Sequence, residues 1–330
     1  MLRGMTRIGE LPPSLRQHFS VAEAREAGVP RSRLRAKDLA APFRGMRRRS
    51  DIGGTDAPVE AASTPGPHRA EQMQRRARAH EYAPRMHPEH FFALETAAAL
   101  WGAPLPLFRR LGEDDADLPV HVGIFGTGSL PRLAGVTGHR MRQTTTAVCT
   151  LEGLRVTTPA STWASLGTLP LHDLVALGDY FCRVWRPGYG RPGTDRQPLT
   201  TPARLCAATA SGRRVGVRRL REALTLVRTD AWSPRESRVR CILVEASLPE
   251  PELNIDVYDE HGGFIACVDL AYPGRKVAVE YHGIWHSSTY AHDVERIARL
   301  RAAGWIVIEV TAELVRHPAV LASRVRQALG

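Results

Sequence analysis

Lysine is nearly absent from this sequence, although the chain is strongly basic. Of its 45 basic residues only Lys37 and Lys276 are lysines, so arginine carries almost all of the formal net charge of +11. A charge of this sign and size indicates a polyanionic partner such as nucleic acid. Because a bias toward arginine can also reflect coding composition, it does not by itself assign a phosphate contact to any one arginine.

Paired cysteines and long apolar runs are also lacking. The five cysteines are scattered and none has a Cys-x-x-Cys neighbour, which argues against a disulfide framework and a zinc knuckle and fits a reducing compartment. No stretch approaches about 18 consecutive apolar residues, and the N-terminal Met-Leu-Arg-Gly-Met-Thr-Arg has no apolar core. We therefore expect a cytoplasmic protein with neither a membrane span nor a secretory signal.

The positive charge is unevenly distributed along the chain. Residues 1–50 hold twelve Arg and Lys against four Asp and Glu, whereas residues 231–330 hold eleven against thirteen. Electrostatic attraction to a nucleic acid should therefore come mainly from the N-terminal region. With 330 residues, the chain is long enough for two or three domains with cores of their own.

The N-terminal region has the pattern of a helix-turn-helix. Ser20 and Glu23 are spaced as a capping box, which predicts a short helix that ends at Gly28. Pro30 then precedes an arginine-rich segment, 31–39, that we interpret as a second helix. A helix, a turn containing glycine and a second helix are typical of DNA-binding motifs.

A short basic stretch, 42–49, follows the two predicted helices like a wing. In such an arrangement, arginines of the second helix and the wing would contact phosphates or base edges of DNA. The candidates are Arg31, Arg33, Arg35 and Arg47. The alternative is a solvated helix face beside a basic linker.

The middle of the chain shows secondary-structure patterns but no catalytic constellation. Residues 50–68 are rich in Gly and Pro and are predicted to be a linker, and 120–125 alternate like a strand. His121 and His139 are isolated in strand-like settings, where histidines are more often core or surface residues than ligands. The predicted regions are a winged helix-turn-helix-like unit at 1–50, a linker and basic helix at 51–80, a central α/β region at 81–230 and a C-terminal α/β domain at 231–330.

The clearest functional signal is a predicted β-hairpin near the C-terminus. Two apolar runs, 264–271 and 277–281, flank a Pro-Gly turn. Asp269 lies in the first run and Glu280 in the second, and a carboxylate in an apolar strand is costly unless it is paired or bound to a metal. Antiparallel pairing would bring the two carboxylates close together, which suits a hard cation such as Mg²⁺.

Polar residues continue beyond the hairpin, because His282 and His286 follow on its exit. The alternative interpretation of the cluster is structural. In that case the first carboxylate simply ends a strand, and Glu280 forms an ion pair with Arg275 or Arg296.

Further elements surround the hairpin. A helix is predicted at 235–246, and Glu236 lies in its first turn, where the helix dipole alone would favour an acid. A strand at 254–258 precedes the hairpin, and the elements that follow it are a helix at 293–303, a strand at 305–310 and a helix at 318–329. The predicted order is α-β-β-β-α-β-α.

This order, with one acid on the second strand and another on the third, resembles the PD-(D/E)xK nuclease superfamily. Residues 233–315 resemble, more narrowly, the very short patch repair (Vsr) endonucleases. The matching residues are Glu236, Val268-Asp269, Glu280-Tyr-His-Gly-Ile-Trp-His286, Asp293, Arg296 and Ala303-Gly-Trp-Ile-Val-Ile-Glu-Val-Thr311.

The Vsr resemblance implies metal-dependent cleavage of DNA. It implies that Asp269 is the central ligand of Mg²⁺ or Mn²⁺ and that Glu280 is a second ligand or orients the base. It places His282 and His286 near the attacking water or the leaving group. Glu236 would be an outer acidic contributor.

Two positions depart from the superfamily pattern. Val268 occupies the position of the proline, and His282 occupies the position of the lysine, where relatives of this domain often carry aspartate. A histidine there can act as a general acid or base near neutral pH. It could equally mark a site that has lost full activity.

Residues 14–230 resemble the AbiEi-family antitoxins, in which an N-terminal winged helix precedes a larger α/β region. The matching stretches are Phe19-Ser-Val-Ala-Glu-Ala24, Gly28-Val-Pro-Arg-Ser-Arg-Leu-Arg35, Pro42-Phe-Arg-Gly45, Ala97-Ala-Ala-Leu-Trp-Gly102 and Leu154-Arg-Val-Thr-Thr-Pro159. The expected fold is thus a mixed α/β, multidomain one, with a winged-helix-like unit, a central α/β region and a C-terminal PD-(D/E)xK domain.

The function predicted from these patterns is that of a DNA-binding, Mg²⁺-dependent endodeoxyribonuclease. One alternative is a non-enzymatic, antitoxin-like transcriptional regulator that keeps the nuclease fold only as a scaffold. Another is the same fold acting on RNA. Function depends on the site rather than on the fold, so the geometry of the carboxylates distinguishes the first two.

Overall fold

The computed structural model describes residues 10–49, 66–108, 118–189, 191, 193–194, 196–282 and 290–330. The chain divides into two compact units, Met1–Ser165 and Leu166–Gly330. It is a mixed α/β protein with three β-sheets in the described ranges, which confirms the expected fold class at this level. No described helix is long and apolar enough to cross a lipid bilayer.

The first unit contains two of the sheets. Its helices and strands are β1 (His18–Ser20), α1 (Val21–Glu26), β2 (Leu39–Ala40), β3 (Met46–Arg49), α2 (Pro67–Tyr82), β4 (Phe91–Phe92), α3 (Leu94–Leu100), β5 (Val120–Phe125), β6 (Val136–Met141), β7 (Val148–Leu151), β8 (Leu154–Thr157) and α4 (Pro159–Ser165). The small sheet has the order β1-β3-β2 and the larger one β6-β5-β4-β8-β7. The predicted strand at 120–125 is confirmed as β5, whereas most of the predicted linker at 50–68 lies outside the described residues.

The first predicted helix of the helix-turn-helix is confirmed by its cap. The Ser20 hydroxyl accepts a hydrogen bond from the Glu23 backbone N–H at 3.0 Å, and the Glu23 carboxylate accepts one from the Ser20 N–H at 2.6 Å. Gly28 follows the helix with φ +79°, a left-handed conformation that suits glycine.

The prediction of a second helix at 31–39 is wrong. Only a single 3₁₀ turn, Arg33–Arg35, forms there, and β2 begins at Leu39. A helix would place Leu34 and Leu39 about 140° apart around its axis, on different faces. Both instead pack into the cluster around Phe19, because the chain leaves the 3₁₀ turn at Ala36 and makes a further turn before Leu39.

The second unit is built on one sheet with helices on both faces. Its elements are α5 (Leu171–Cys182), α6 (Pro202–Ala210), α7 (Val217–Leu226), α8 (Pro234–Glu245), β9 (Glu252–Tyr258), β10 (Phe264–Tyr272), β11 (Val277–Tyr281), α9 (Tyr290–Ala302), β12 (Ile306–Val310), α10 (Ala312–Val315) and α11 (Pro318–Leu329). The strand order is β12-β11-β10-β9. The predicted α-β-β-β-α-β-α order is confirmed, with α10 as an additional short helix.

The predicted hairpin is present and central in this sheet. Strands β10 and β11 are antiparallel, with Leu270 opposite Val279, and a 3₁₀ turn, Pro273–Arg275, joins them. Strand β12 runs parallel to β11, so the connection through α9 is a crossover. Apolar residues of α8 and α11 pack on one face of the sheet, and Leu300 of α9 packs on the other.

In two strands of this sheet, the alternation of side chains between the two faces is interrupted at the same row. Residues two apart in a strand normally point to the same face. Leu253 and Leu270 nevertheless pack with α8 and α11, whereas Ile255 and Val268 pack on the side of α9. Asn254, between Leu253 and Ile255, has φ +51°. The reversal therefore occurs at Asn254 and, on β10, at the residue opposite it, which is Asp269.

Candidate functional site

The candidate site is a row of polar residues across the middle of an apolar sheet. Leu270 lies opposite Leu253 on β9 and opposite Val279 on β11. One step along each ladder places Asn254, Asp269 and Glu280 side by side. The sheet thus brings together the two acids that the hairpin pattern singled out.

The two hairpin carboxylates have different partners. The Oδ2 atom of Asp269 accepts a hydrogen bond from the Tyr281 backbone N–H at 3.0 Å. The Oε2 atom of Glu280 accepts one from Nη1 of Arg296, on α9, at 2.9 Å. Glu280 is only 3% exposed, and its Oε1 atom has no hydrogen-bond partner within 3.5 Å among the described residues, although the Asp269 backbone N–H is near enough to oppose the rise in the pKa of this carboxyl that burial causes. A buried carboxylate oxygen without a partner is costly, and a cation would satisfy it.

Glu236 joins these carboxylates from the start of α8. Ser233 caps this helix, and its hydroxyl accepts a hydrogen bond from the Glu236 backbone N–H at 3.2 Å. The Glu236 carboxylate accepts hydrogen bonds from the Trp232 backbone N–H at 2.8 Å and from the Asn254 amide at 2.7 Å. Glu236 is therefore buried and directed toward the sheet, so its role is not limited to a favourable interaction with the helix dipole.

The electrostatic environment favours protonation of all three acids. Burial, and then the charge of Asp269, raise the pKa of Glu236 to about 7. The same two causes raise the pKa of Glu280 to about 7, although the Arg296 guanidinium opposes them. Burial also raises the pKa of Asp269. Carboxyl groups that burial and mutual repulsion push toward neutrality are typical of functional sites.

His282 lies at the end of β11, beside the carboxylates. Its backbone N–H donates a hydrogen bond to the Val310 carbonyl at 2.8 Å, and its Nε2 atom lies 3.7 Å from Oε2 of Glu309. Its charged form would lower the pKa of Asp269, so the ring is close enough to influence that acid. His286 lies outside the described residues.

Asp269 and Glu280 are the two residues whose carboxylates the sequence pattern singled out for a divalent cation. No group of three or more His, Cys, Asp or Glu side chains in the described ranges is placed to hold a metal ion. Mg²⁺, however, is commonly held by one or two carboxylates together with water and substrate phosphates. The partnerless Oε1 of Glu280 beside Asp269 fits that mode of binding, whereas the Arg296 guanidinium on Oε2 competes with it.

The four arginines proposed for DNA contact differ in their environment. Arg33 donates two hydrogen bonds to the Asp38 carboxylate, at 2.9 and 2.6 Å. Arg47 donates to the carbonyls of Leu34 and Met46. Both therefore hold the small sheet and its turn together. Arg31 and Arg35 are exposed, and these two remain the candidates for phosphate contact.

The interpretation of His121 and His139 as isolated is wrong. Nδ1 of His121 and Nε2 of His139 lie 2.9 Å apart across neighbouring strands. Glu95 on α3 lies 3.4 Å from the other ring nitrogen of His121. Burial lowers the pKa of both histidines. Their proximity depends on the parallel pairing of β5 and β6, which the sequence pattern did not predict.

The sequence interpretation also missed Asn254. An asparagine in an apolar strand is a weak signal, but asparagine is among the residues that tolerate positive φ. Here it is 3% exposed, and its amide donates to the Asp230 carbonyl at 2.8 Å and to Glu236. Asn254 thus supports Glu236 beside the hairpin acids.

Comparison with known proteins identifies relatives over only part of the chain. An uncharacterized protein of Mycobacterium tuberculosis, in strains CDC 1551 and H37Rv, is 35% identical over 126 residues. The matched segment covers 37% of this chain and 46% of the relative, so less than half of the relative's length is spanned. No protein-family model and no solved structure matches the chain. The similarity to the mycobacterial protein is therefore the extent of what these comparisons establish.

Proposed function

We propose that the protein is a metal-dependent phosphodiesterase that cleaves nucleic acid, with DNA as the expected substrate, in the cytoplasm. The observation that carries this proposal is the convergence of two buried acids, Glu236 and Glu280, with the part-buried Asp269, together with an unsatisfied oxygen on Glu280. A divalent cation would neutralise their repulsion and supply the missing partner. The proposal also includes a winged-helix-like DNA-binding region at 1–50, in which a 3₁₀ turn replaces the second predicted helix, and a PD-(D/E)xK-like domain at 231–330.

Each residue of the site has a role in this proposal. Asp269 and Glu280 would hold Mg²⁺ or Mn²⁺, which when bound polarises the phosphate and activates water. Glu236, with its pKa of about 7, can hold a proton near neutral pH while it orients Asn254. His282 stands where the superfamily pattern has lysine and could move a proton as general acid or base.

The experiment compares wild type with Asp269→Asn. Asparagine keeps the oxygen that accepts from the Tyr281 N–H but lacks the charge that a divalent cation needs. We expect Mg²⁺- or Mn²⁺-dependent cleavage of DNA to be lost, with DNA binding nearly unchanged. We also expect Mg²⁺ at about 100 times its Kd to stabilise the wild type by about 2.7 kcal/mol and to leave the variant unaffected.

Glu260→Gln is the matched control, because Glu260 is an exposed acid in the turn between β9 and β10. It should retain both cleavage and the stabilisation by Mg²⁺. A wild type that neither cleaves DNA nor RNA nor responds to divalent cations would contradict the proposal.

One observation favours the second candidate, a non-enzymatic DNA-binding regulator. The Arg296 guanidinium already pairs with Glu280, as expected for a structural ion pair in a scaffold. In that case Glu280→Gln should destabilise the protein, because it removes the charge that Arg296 faces, and divalent cations should have no effect. If the site is active, we expect the opposite result: divalent cations stabilise the wild type, and Glu280→Gln loses little stability.

A further inference from the structure

A cluster of arginine and tryptophan side chains, formed by Arg183, Trp185, Arg196 and Trp232, lies beside the carboxylates in the second unit. The Arg183 guanidinium stacks over the Trp185 ring at 3.6 Å and lies 5.1 Å from the centre of the Trp232 ring. The Arg196 guanidinium lies 5.0 Å from the centre of the same Trp185 ring. One indole therefore contacts two guanidinium groups, and the charge of Arg196 adds to the effect of burial in lowering the pKa of Arg183.

Neither of these two arginines has an acidic ion-pair partner within 4 Å among the described residues. Two neighbouring arginines have such partners: Arg186 forms an ion pair with Asp230, and Arg191 forms one with Asp256. Two like charges held on one ring repel each other, and among the described acids the charge of Glu236 opposes this repulsion at Arg183. Stacking on an aromatic ring orients a guanidinium without using its N–H donors, so those that make no hydrogen bond within the protein remain available.

Buried donors at the same place also lack acceptors. Nε of Arg183 and Nε1 of Trp232 are buried and have no hydrogen-bond partner in the described part of the chain. Buried N–H groups are normally satisfied, so these two donors leave room for an acceptor, as do the orphan Nε atoms of the neighbouring Arg186 and Arg191 and, elsewhere, of Arg240. The guanidinium of Arg196, which is exposed, provides an accessible face for that acceptor.

The cluster is connected directly to the candidate site. The Trp232 carbonyl accepts a hydrogen bond from Arg183 at 3.3 Å, while the Trp232 N–H donates to Glu236. Arg191, which lies over the Trp232 ring, donates to the Asn254 carbonyl at 3.2 Å. Trp232 and Asn254 are thus shared between the arginines and the acids.

We propose that Arg183 and Arg196, held on Trp185, bind a phosphate of the nucleic-acid strand whose scissile bond lies at the carboxylates. This inference rests on the proposed function and names where its substrate is held. A guanidinium pair matches the charge and the planar donor geometry that phosphate binding requires. It also explains how a domain with a net excess of acids at 231–330 could hold a polyanion, since the arginines come from the preceding segment.

The test measures binding of a short single-stranded DNA to the full chain in EDTA, so that cleavage plays no part. We expect Arg196→Gln to weaken binding and to lower the log–log salt slope by about 0.7, the value for one lost phosphate contact on a single strand. Arg183→Gln should have a similar effect, and Trp185→Leu should weaken binding by releasing both guanidiniums. Arg324→Gln, at an exposed arginine of α11 outside the cluster, should bind as the wild type does.

Because Arg196 is exposed, its substitution should leave the thermal melting midpoint unchanged, and a melt of each variant checks this. An unchanged salt slope in Arg196→Gln overturns the inference, as does inorganic phosphate binding as tightly as the strand at equal phosphate concentration. A wild type that binds the strand through these arginines but never cleaves with Mg²⁺ would overturn the proposed hydrolase and leave the phosphate site standing. A wild type that does not bind the strand overturns the phosphate site.

Discussion

Glu236 is an acid that the fold keeps away from water and beside another acid. It is 5% exposed, and burial together with Asp269 raises its pKa to about 7, whereas an ordinary glutamate titrates near 4.5. The folded protein therefore binds a proton that the unfolded chain releases as the pH rises from about 4.5 to about 7. Stability from this group is fully present below that window and is lost as the pH rises through it.

We predict that Glu236→Gln flattens this pH dependence. The wild type should lose up to about 3 kcal/mol of unfolding free energy between pH 5 and pH 8 through this group, since about 1.4 kcal/mol corresponds to each pKa unit. Glutamine keeps an oxygen for the hydrogen bonds from Trp232 and Asn254 and does not ionise. Urea unfolding at the two pH values measures the effect, with Glu260→Gln as control, and equal slopes in wild type and Glu236→Gln would disprove it.

At the scale of elements, a buried ionic network holds helix α5 against α8. Arg240 is 0% exposed and donates to the Asp179 carboxylate at 3.1 Å and to that of Glu250 at 2.9 Å. The Ser237 hydroxyl donates to the same carboxylate of Asp179 at 2.7 Å. Because α8 also carries Glu236, this network sets the position of the helix that brings the third acid to the sheet.

Asp179→Ala should destabilise the protein by about 3–5 kcal/mol, because the buried Arg240 would lose one of its two acidic partners and keep only Glu250. Glu313→Ala is the matched control, since it breaks an exposed ion pair with Arg316 and should cost no more than about 1 kcal/mol. Chemical denaturation of the two variants provides the comparison. Equal losses in both would show that the α5–α8 network contributes little.

At the scale of the whole molecule, the excess positive charge lies away from the carboxylates in the sequence. Residues 1–50 carry a net charge of +8, from twelve basic and four acidic residues. Phe43 and Met46 of this region pack with Tyr82 and Phe92 in the core of the first unit. Deleting the region would therefore damage that core, so its charge is better removed by substitution at the surface.

The double variant Arg31→Gln, Arg35→Gln should weaken binding to duplex DNA and lower the log–log salt slope by about 1.8, since each lost phosphate contact on a duplex removes about 0.9. Both side chains are exposed, so the fold should be unaffected. The matched control is Arg238→Gln with Arg324→Gln, which removes the same charge from exposed positions on α8 and α11. If both double variants lower the slope equally, the N-terminal arginines have no special part in DNA binding.

The sequence by itself determined the features that depend on neighbouring residues. The capping box at Ser20, the Pro-Gly turn of the hairpin and the two apolar runs that form β10 and β11 are all present as predicted. Their information lies in side-chain chemistry within a few residues, which a single sequence displays directly. For the same reason Asp269 and Glu280 could be identified as neighbours from the hairpin alone.

Only the tertiary structure decided which distant groups meet these acids. The sequence left Arg275 and Arg296 as alternative partners of Glu280, and packing of α9 on the sheet selected Arg296. Asn254 lies in the row of acids because β9 pairs with β10. The predicted second helix of the N-terminal motif does not form, because Leu34 and Leu39 pack in one core. In each case packing decides whether the two residues meet, because it sets the distance between them or the side of the element on which they lie. The free energy of such packing cannot be inferred from the pattern of neighbouring residues in the sequence.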